Sequence, residues 1–230
     1  MRADDPDVIE IEGPPPLSHP AEVVIQALSP VVTPERRRRI EQVVSQRTDD
    51  LVVVLDSISD PHNASAVLRS ADAFGVQTVH VIVGSYGFRA SRGVSKGTHR
   101  WIDLIRYETA EACAKRLRDA GYAIYVAATG GDHHAEALRT QTRLAVVFGN
   151  EHRGASPEWA ELADGTFSIP MRGFVESLNV SVAAAVTMQT LAAGTRAPLS
   201  HARRRALEAR FLMNSVKNAD EIINEYVGND

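Results

Sequence analysis

The chain has 230 residues, 44% of them hydrophobic, and a formal net charge of -4, enough apolar material for one compact domain with an added element at each end. Its single cysteine, Cys113, excludes an internal disulfide, and without a CxxC pair no structural zinc or other metal is expected. No run approaches the about 18 apolar residues of a membrane span and no secretory pattern opens the chain, so the expected address is the cytoplasm, away from membranes.

The first 33 residues hold six of the 11 prolines, including Pro14-Pro15-Pro16, and residues 1–32 hold six acids against Arg2 alone. Such a composition predicts a flexible tail over residues 1–33. The -5 of this tail leaves +1 for the other 198 residues, where basic side chains cluster. Between Thr33 and Thr48, Arg36, Arg37, Arg38, Arg39 and Arg47 face only Glu35 and Glu41. Between Gly84 and Arg106, Arg89, Arg92, Lys96, Arg100 and Arg106 face only Asp103. Taken alone, each run reads as a solvated helix face or a mobile loop.

Thr33 as cap, Pro34 in the first turn and Glu35 behind it predict a helix start. Ile40, Val43, Val44 and Arg47 then lie at helical spacing, so that one face docks while the arginines look outward. Residues 51–55 are wholly apolar and end in Asp56, as suits a strand of a parallel sheet covered on both faces. Asn63 is placed to cap the next helix, with Ala64, Val67, Leu68, Ala71 and Phe74 inward and Gly75 as terminator. Arg69 falls off that stripe, toward a cleft or solvent.

Further strands are predicted at 78–83, 102–107, 122–127, 144–148 and 167–169, and helices at 109–120 and 156–163. The long basic loop of residues 84–99 is of the kind that usually carries function. Late in the chain, a strand stops at Pro170, passes a Gly-containing loop and enters a helix at Ser177 and Asn179 that runs to about residue 193. Residues 199–227 add one or two amphipathic helices bearing Arg203-Arg204-Arg205. The alternation predicts an α/β domain with a mainly parallel sheet over residues 34–196, led by the basic helix, and a helical extension over 197–230.

Several chemistries are excluded. The turn after the first strand, Asp56-Ser57-Ile58-Ser59-Asp60-Pro61, has no glycine-rich phosphate loop, which removes dinucleotide dehydrogenases and the common glycine-loop methyltransferases. No Walker loop, nucleophile elbow or HExxH is present, and His133-His134 lacks further ligands at metal spacing.

Three stretches carry a more specific signal: Asp60-Pro61-His62-Asn63 through Arg69 to Gly75, Phe148-Gly149-Asn150-Glu151-His152-Arg153-Gly154, and Ile169-Pro170-Met171-Arg172-Gly173 through Ser177-Leu178-Asn179. In this order they resemble the motifs of the SpoU (TrmH) branch of the SPOUT RNA 2'-O-methyltransferases, over roughly residues 34–193. The resemblance implies a C-terminal deep trefoil knot, which general topology rules would have argued against. It also implies S-adenosylmethionine bound among the knot loops and a homodimer packed through them, with Val182-Ala183-Ala184-Ala185-Val186 as the close-packing helix face.

Carried onto this chain, the resemblance assigns cofactor contacts to Thr129, Gly149, Asn150, Glu151, Gly154, Ile169, Met171, Ser177 and Leu178. It assigns the catalytic set to Asn63, Arg69, Glu151, Ser177 and Asn179, with Asn63 and Asn179 orienting the arginine and the attacking hydroxyl. An arginine stays protonated below about pH 12 and is a poor base, so Arg69 is expected to grip a phosphate beside the target ribose. Arg36, Arg39, His62, Lys96 and Arg100 are the expected RNA contacts. The basic helix, the 96–101 segment and the C-terminal extension look most like enzymes that methylate guanosine 18 of the tRNA D-loop; ribosomal RNA and a non-catalytic RNA-binding role are the alternatives.

Overall fold

In a computed structural model of the chain, the described residues are 8–10, 16–83, 89–91, 97–193 and 196–228; the expectations on Arg92, Lys96 and most of the 84–99 loop lie outside them. One compact unit holds the described parts of Met1–Pro14 and Thr48–Ala197. Its centre is a sheet of β2 (Leu51–Asp56), β3 (Thr78–Ile82), β5 (Asp103–Tyr107), β6 (Ala123–Ala127), β7 (His133–His134), β8 (Leu144–Phe148) and β9 (Gly165–Ser168). The strand order is β5-β3-β2-β8-β6-β9-β7, parallel throughout. A separate two-stranded pair joins β1 (Val8–Glu10) to β4 (Arg89–Ser91).

The order across the sheet is not the order along the chain. β8 enters between β2 and β6, and β9 between β6 and β7, so late strands slot between earlier ones. Each central strand is apolar on both faces because both are covered. Leu51, Val53 and Leu55 pack with α3 (Pro61–Ala73) and α6 (Val180–Ala192). Val52 and Val54 pack with α4 (Ala110–Asp119) and with Trp159 of the short α5 (Trp159–Leu162).

The start of α3 corrects one expectation. Asp60, not Asn63, is the cap: its side chain accepts from His62 N–H at 2.8 Å and Pro61 fills the first turn. Asn63 is thus inside the helix, buried, and its amide is free to reach another segment.

The second unit comprises Pro15–Arg47 and Pro198–Asp230. It holds α1 (Ala21–Leu28), α2 (Pro34–Ser45), α7 (His201–Met213) and α8 (Ala219–Gly228). Helix α1 lies inside the stretch expected to be a tail, with Val24, Ile25, Ala27 and Leu28 buried. Prolines and acids averaged over 33 residues hid this one apolar block, which Pro20 and Pro30 bracket. The basic helix α2, read with the sheet domain, falls in this second unit, where Arg36 donates to Ser215 Oγ. Its arginines 36–39 are exposed as expected, whereas Arg47 is buried, its guanidinium carbon 6.0 Å from the centre of the Phe211 ring.

At the end of β2, Asp56 is 1% exposed and its Oδ2 accepts from Ser156 N–H at 2.7 Å and from the Trp159 indole at 3.1 Å. This ties the sheet centre to the segment that follows β8. Asp56→Ala leaves the buried Trp159 indole and the half-buried Ser156 N–H unpaired and is expected to lower unfolding free energy by about 3 kcal/mol in urea titrations, against about 1 kcal/mol for Trp159→Phe.

Candidate functional site

A cavity of about 510 Å³ opens at the C-terminal ends of the inner strands, the edge where parallel sheets bind ligands. Its wall comes from the segments after β6 (Ala128, Thr129, Gly130), after β8 (Gly149, Asn150, Glu151, Gly154) and after β9 (Ile169, Met171 and Glu176 to Asn179). All nine residues expected to touch a cofactor line it. The Gly149 position admits no side chain: a Cβ there would meet Ala155 N at 1.9 Å and Gly154 C at 2.1 Å. The tightness comes from a closed turn in which Asn150 and Gly154 exchange backbone hydrogen bonds of 2.8 and 2.9 Å, with Gly154 at φ 73°.

A polar network braces the rim. Glu151 Oε1 accepts from Asn63 Nδ2 at 3.0 Å and Asp60 N–H at 3.4 Å; Oε2 accepts from the N–H and hydroxyl of Ser59 at 3.3 and 3.0 Å. Asn63 Oδ1 in turn accepts from Asn179 Nδ2 at 3.0 Å, and Asn179 Oδ1 caps α6 by accepting from Ser181 N–H at 2.9 Å and Ser181 Oγ at 2.6 Å. Asn150 Nδ2 donates to Ser57 C=O at 2.8 Å, a second tie between the same two loops. Burial pushes the Glu151 carboxyl upward, but donation from Asn63, its own backbone and Ser59 outweighs that and holds it below the ordinary carboxylate range.

The sequence therefore brings Asn63, Glu151, Ser177 and Asn179 together. Arg69 stands apart: it is exposed on α3, does not line the cavity, and makes no hydrogen bond or ion pair among the described residues. Asn63 spends its amide on Glu151 and Asn179, so in this structure it does not orient the arginine as expected. His62 and Arg100 are exposed, Lys96 lies outside the described residues, and Arg36 and Arg39 belong to the helical unit. Sequence reasoning missed Ser59, Asp60 and Ser181 as braces and Glu176 as a wall residue. The Ser-Asp-Pro run before α3 was the nearest signal for Ser59 and Asp60, since it marks a turn rich in donors.

The cavity suits a small molecule that is part aromatic and part cationic. Glycines bring backbone close, Phe148, Phe167, Ile169, Met171 and Leu178 supply apolar surface, and Glu151 and Glu176 supply acid. S-adenosylmethionine has that character, and these residues are the ones that would hold it.

A wholly parallel sheet with a glycine-walled cavity at its C-terminal edge defines an α/β ligand-binding enzyme fold. The chain belongs to the SpoU rRNA Methylase family, which matches residues 50–189. It is 41% identical over 157 residues to a tRNA (guanosine(18)-2'-O)-methyltransferase of Thermus thermophilus, covering 68% of this chain and 81% of that one. The Borreliella burgdorferi enzyme of the same name is 34% identical over 206 residues, 87% of this chain and 94% of the relative. Among solved structures, the Aquifex aeolicus TrmH/SpoU tRNA modifying enzyme aligns with a TM-score of 0.62 at 26% identity, covering 85% of this chain and 96% of that one. The SpoU methyltransferase AviRb from Streptomyces viridochromogenes, in complex with AdoMet, aligns at 0.55 and 26% over 66% of this chain and 60% of that one.

Glu151 also sets a pH dependence. Its folded carboxyl lies below the ordinary 4.5, so its stabilising contribution is complete above that value and is lost as pH falls through the folded value. Glu151→Gln is expected to be less stable than the wild type at neutral pH, with the difference closing below 4.5 when urea midpoints are compared between about pH 3 and pH 7.

Proposed function

We propose that this protein transfers a methyl group from S-adenosylmethionine to a ribose 2'-hydroxyl of RNA, with guanosine 18 of tRNA as substrate. The observation that carries the reading is the Glu151–Asn63–Asn179 network closing the rim of a glycine-walled cavity in a chain of this family. The names of the relatives just described supply the substrate.

The methyl donor supplies an electrophilic methyl on a cationic sulfonium; the chain supplies position and charge. Glu151 already accepts four donors and is held ionised, so it is a poor proton acceptor and acts as the anchor that fixes Asn63. Asn63 and Asn179 are locked to each other, which leaves their remaining amide hydrogens in fixed places to meet the ribose. Ser177, on the same wall, adds a hydroxyl. Arg69, exposed and unpaired among the described residues, takes the neighbouring phosphate, and the hydroxyl proton passes by way of that phosphate to bulk water as the methyl transfers.

Three further elements belong to this reading. The slotting of β8 and β9 between earlier strands supports a deep trefoil knot. Val182 and Val186 are 47% and 38% exposed on α6 beside the cavity residues Val180 and Ala183, which supports a homodimer through that helix. No helix among the described residues is long and apolar enough to cross a membrane, and the proposed tRNA substrate supports a cytoplasmic address.

Labelled S-adenosylmethionine offered with transcribed tRNA, and separately with ribosomal RNA, tests the reading. Transfer to tRNA that maps to guanosine 18 is the expected result; label in ribosomal RNA alone would replace the substrate, and label in neither would remove the reaction. Arg69→Ala is expected to cut turnover at least about 100-fold while calorimetry finds cofactor affinity unchanged. Arg39→Ala is expected to weaken tRNA binding and to lower the salt slope of log Kd by about 1.

A further inference from the structure

The segment between β9 and α6 has both feet in the cavity wall, Ile169 and Met171 on one side and Glu176 to Asn179 on the other. Its apex, Arg172-Gly173-Phe174-Val175, stands clear of the rest of the described chain. Phe174 is 108% exposed and Val175 64% exposed, and a Cβ built on Gly173 meets nothing within 4 Å. Arg172 is exposed and makes no hydrogen bond or ion pair among the described residues. The exposed phenyl ring and the exposed valine next to it form a small apolar patch that a ligand can cover.

We propose that this apex is a nucleotide clamp: Phe174 stacks on a base of the RNA, and Arg172 holds a phosphate beside it. The inference rests on the RNA-methylating reading of the cavity and extends it to a contact that positions the substrate strand. Phe174 is three residues from Ser177, at most about 10 Å of extended chain. A base on the ring therefore belongs to the nucleotide whose ribose reaches the cavity mouth or to its neighbour. An aromatic face accepts any base, and a guanidinium accepts phosphate, so the pair grips single-stranded RNA without reading its sequence. A cationic residue two positions before the ring favours a polyanion over the apolar surface of a second protein copy.

The test compares full-length wild type, Phe174→Ala, Phe174→Trp and Arg172→Ala. Phe174→Ala is expected to raise KM for transcribed tRNA about 10-fold, leaving kcat and S-adenosylmethionine affinity within about twofold. Phe174→Trp should restore KM, and its added fluorescence, read against the Trp101 and Trp159 background of the wild type, should be quenched on adding tRNA. Arg172→Ala should lower the salt slope of tRNA binding by about 1. An unchanged KM in Phe174→Ala, or added fluorescence in Phe174→Trp that stays unquenched with tRNA bound, overturns the clamp. So does a fall in oligomer mass by sedimentation in Phe174→Ala, which would seat the ring in a second copy. A wild type that methylates no RNA removes the reading of the cavity instead, and the quenching result still decides the clamp.

Discussion

One half-buried carboxylate holds the site together. Glu151 takes donors from Ser59, Asp60 and Asn63, and through Asn63 it reaches Asn179 at the head of α6. Three chain segments far apart in sequence thus meet on one acidic side chain and its amide neighbour. A negative charge in that position is costly unless its lone pairs are filled, and here four donors fill them. Remove the charge and Asn63 loses the acceptor that fixes its amide, which leaves Asn150–Ser57 and Asn63–Asn179 as the remaining ties of the rim.

The sheet makes the meeting possible. Because the strands run parallel, every βα connection along the centre emerges at the same edge, so the segments after β2, β6, β8 and β9 face a common space. The insertion of β8 beside β2 sets the 149–154 turn against residues 57–60, and Asn150 fastens the two by donating to Ser57. Asp56, one residue earlier, fastens the same strand end to Ser156 and Trp159 below. The cavity wall is therefore irregular backbone, yet each loop of it is pinned close to a strand end, as a site that must align two reactants requires.

Most of the sheet could be read from the chain. Continuous apolar runs such as 51–55 and 144–148 mark doubly covered strands, and Gly75 and Gly121, at φ 75° and 79°, end helices where they were expected. The strand order could not, because period and composition say nothing about which strand enters between which. Helix α1 was lost for a different reason: eight apolar-rich residues were outvoted by the acids and prolines around them. Within the site, Asn63, Glu151, Ser177 and Asn179 were found through their motifs, whereas Ser59 was not, since a serine before Asp-Pro is ordinary turn chemistry until the carboxylate it serves comes from 92 residues away. Asn63 was misread as a cap because two local signals overlapped, and Asp60-Pro61 is the stronger helix start.

The separation of Arg69 from this network follows from charge. A guanidinium drawn into the rim would compete for Glu151, and that carboxylate would then neutralise the cation instead of holding the amides. Keeping the arginine in solvent on α3, with no partner among the described residues, costs little and leaves its full charge for an anion that arrives from outside. The two halves of the proposed site thus differ in kind. The amide and carboxylate half is complete in the free protein, while the guanidinium half becomes part of the site only when a phosphate stands between them. Such an arrangement ties the proposed methyl transfer to the presence of the RNA backbone itself, because the group that would complete the site is carried by the substrate.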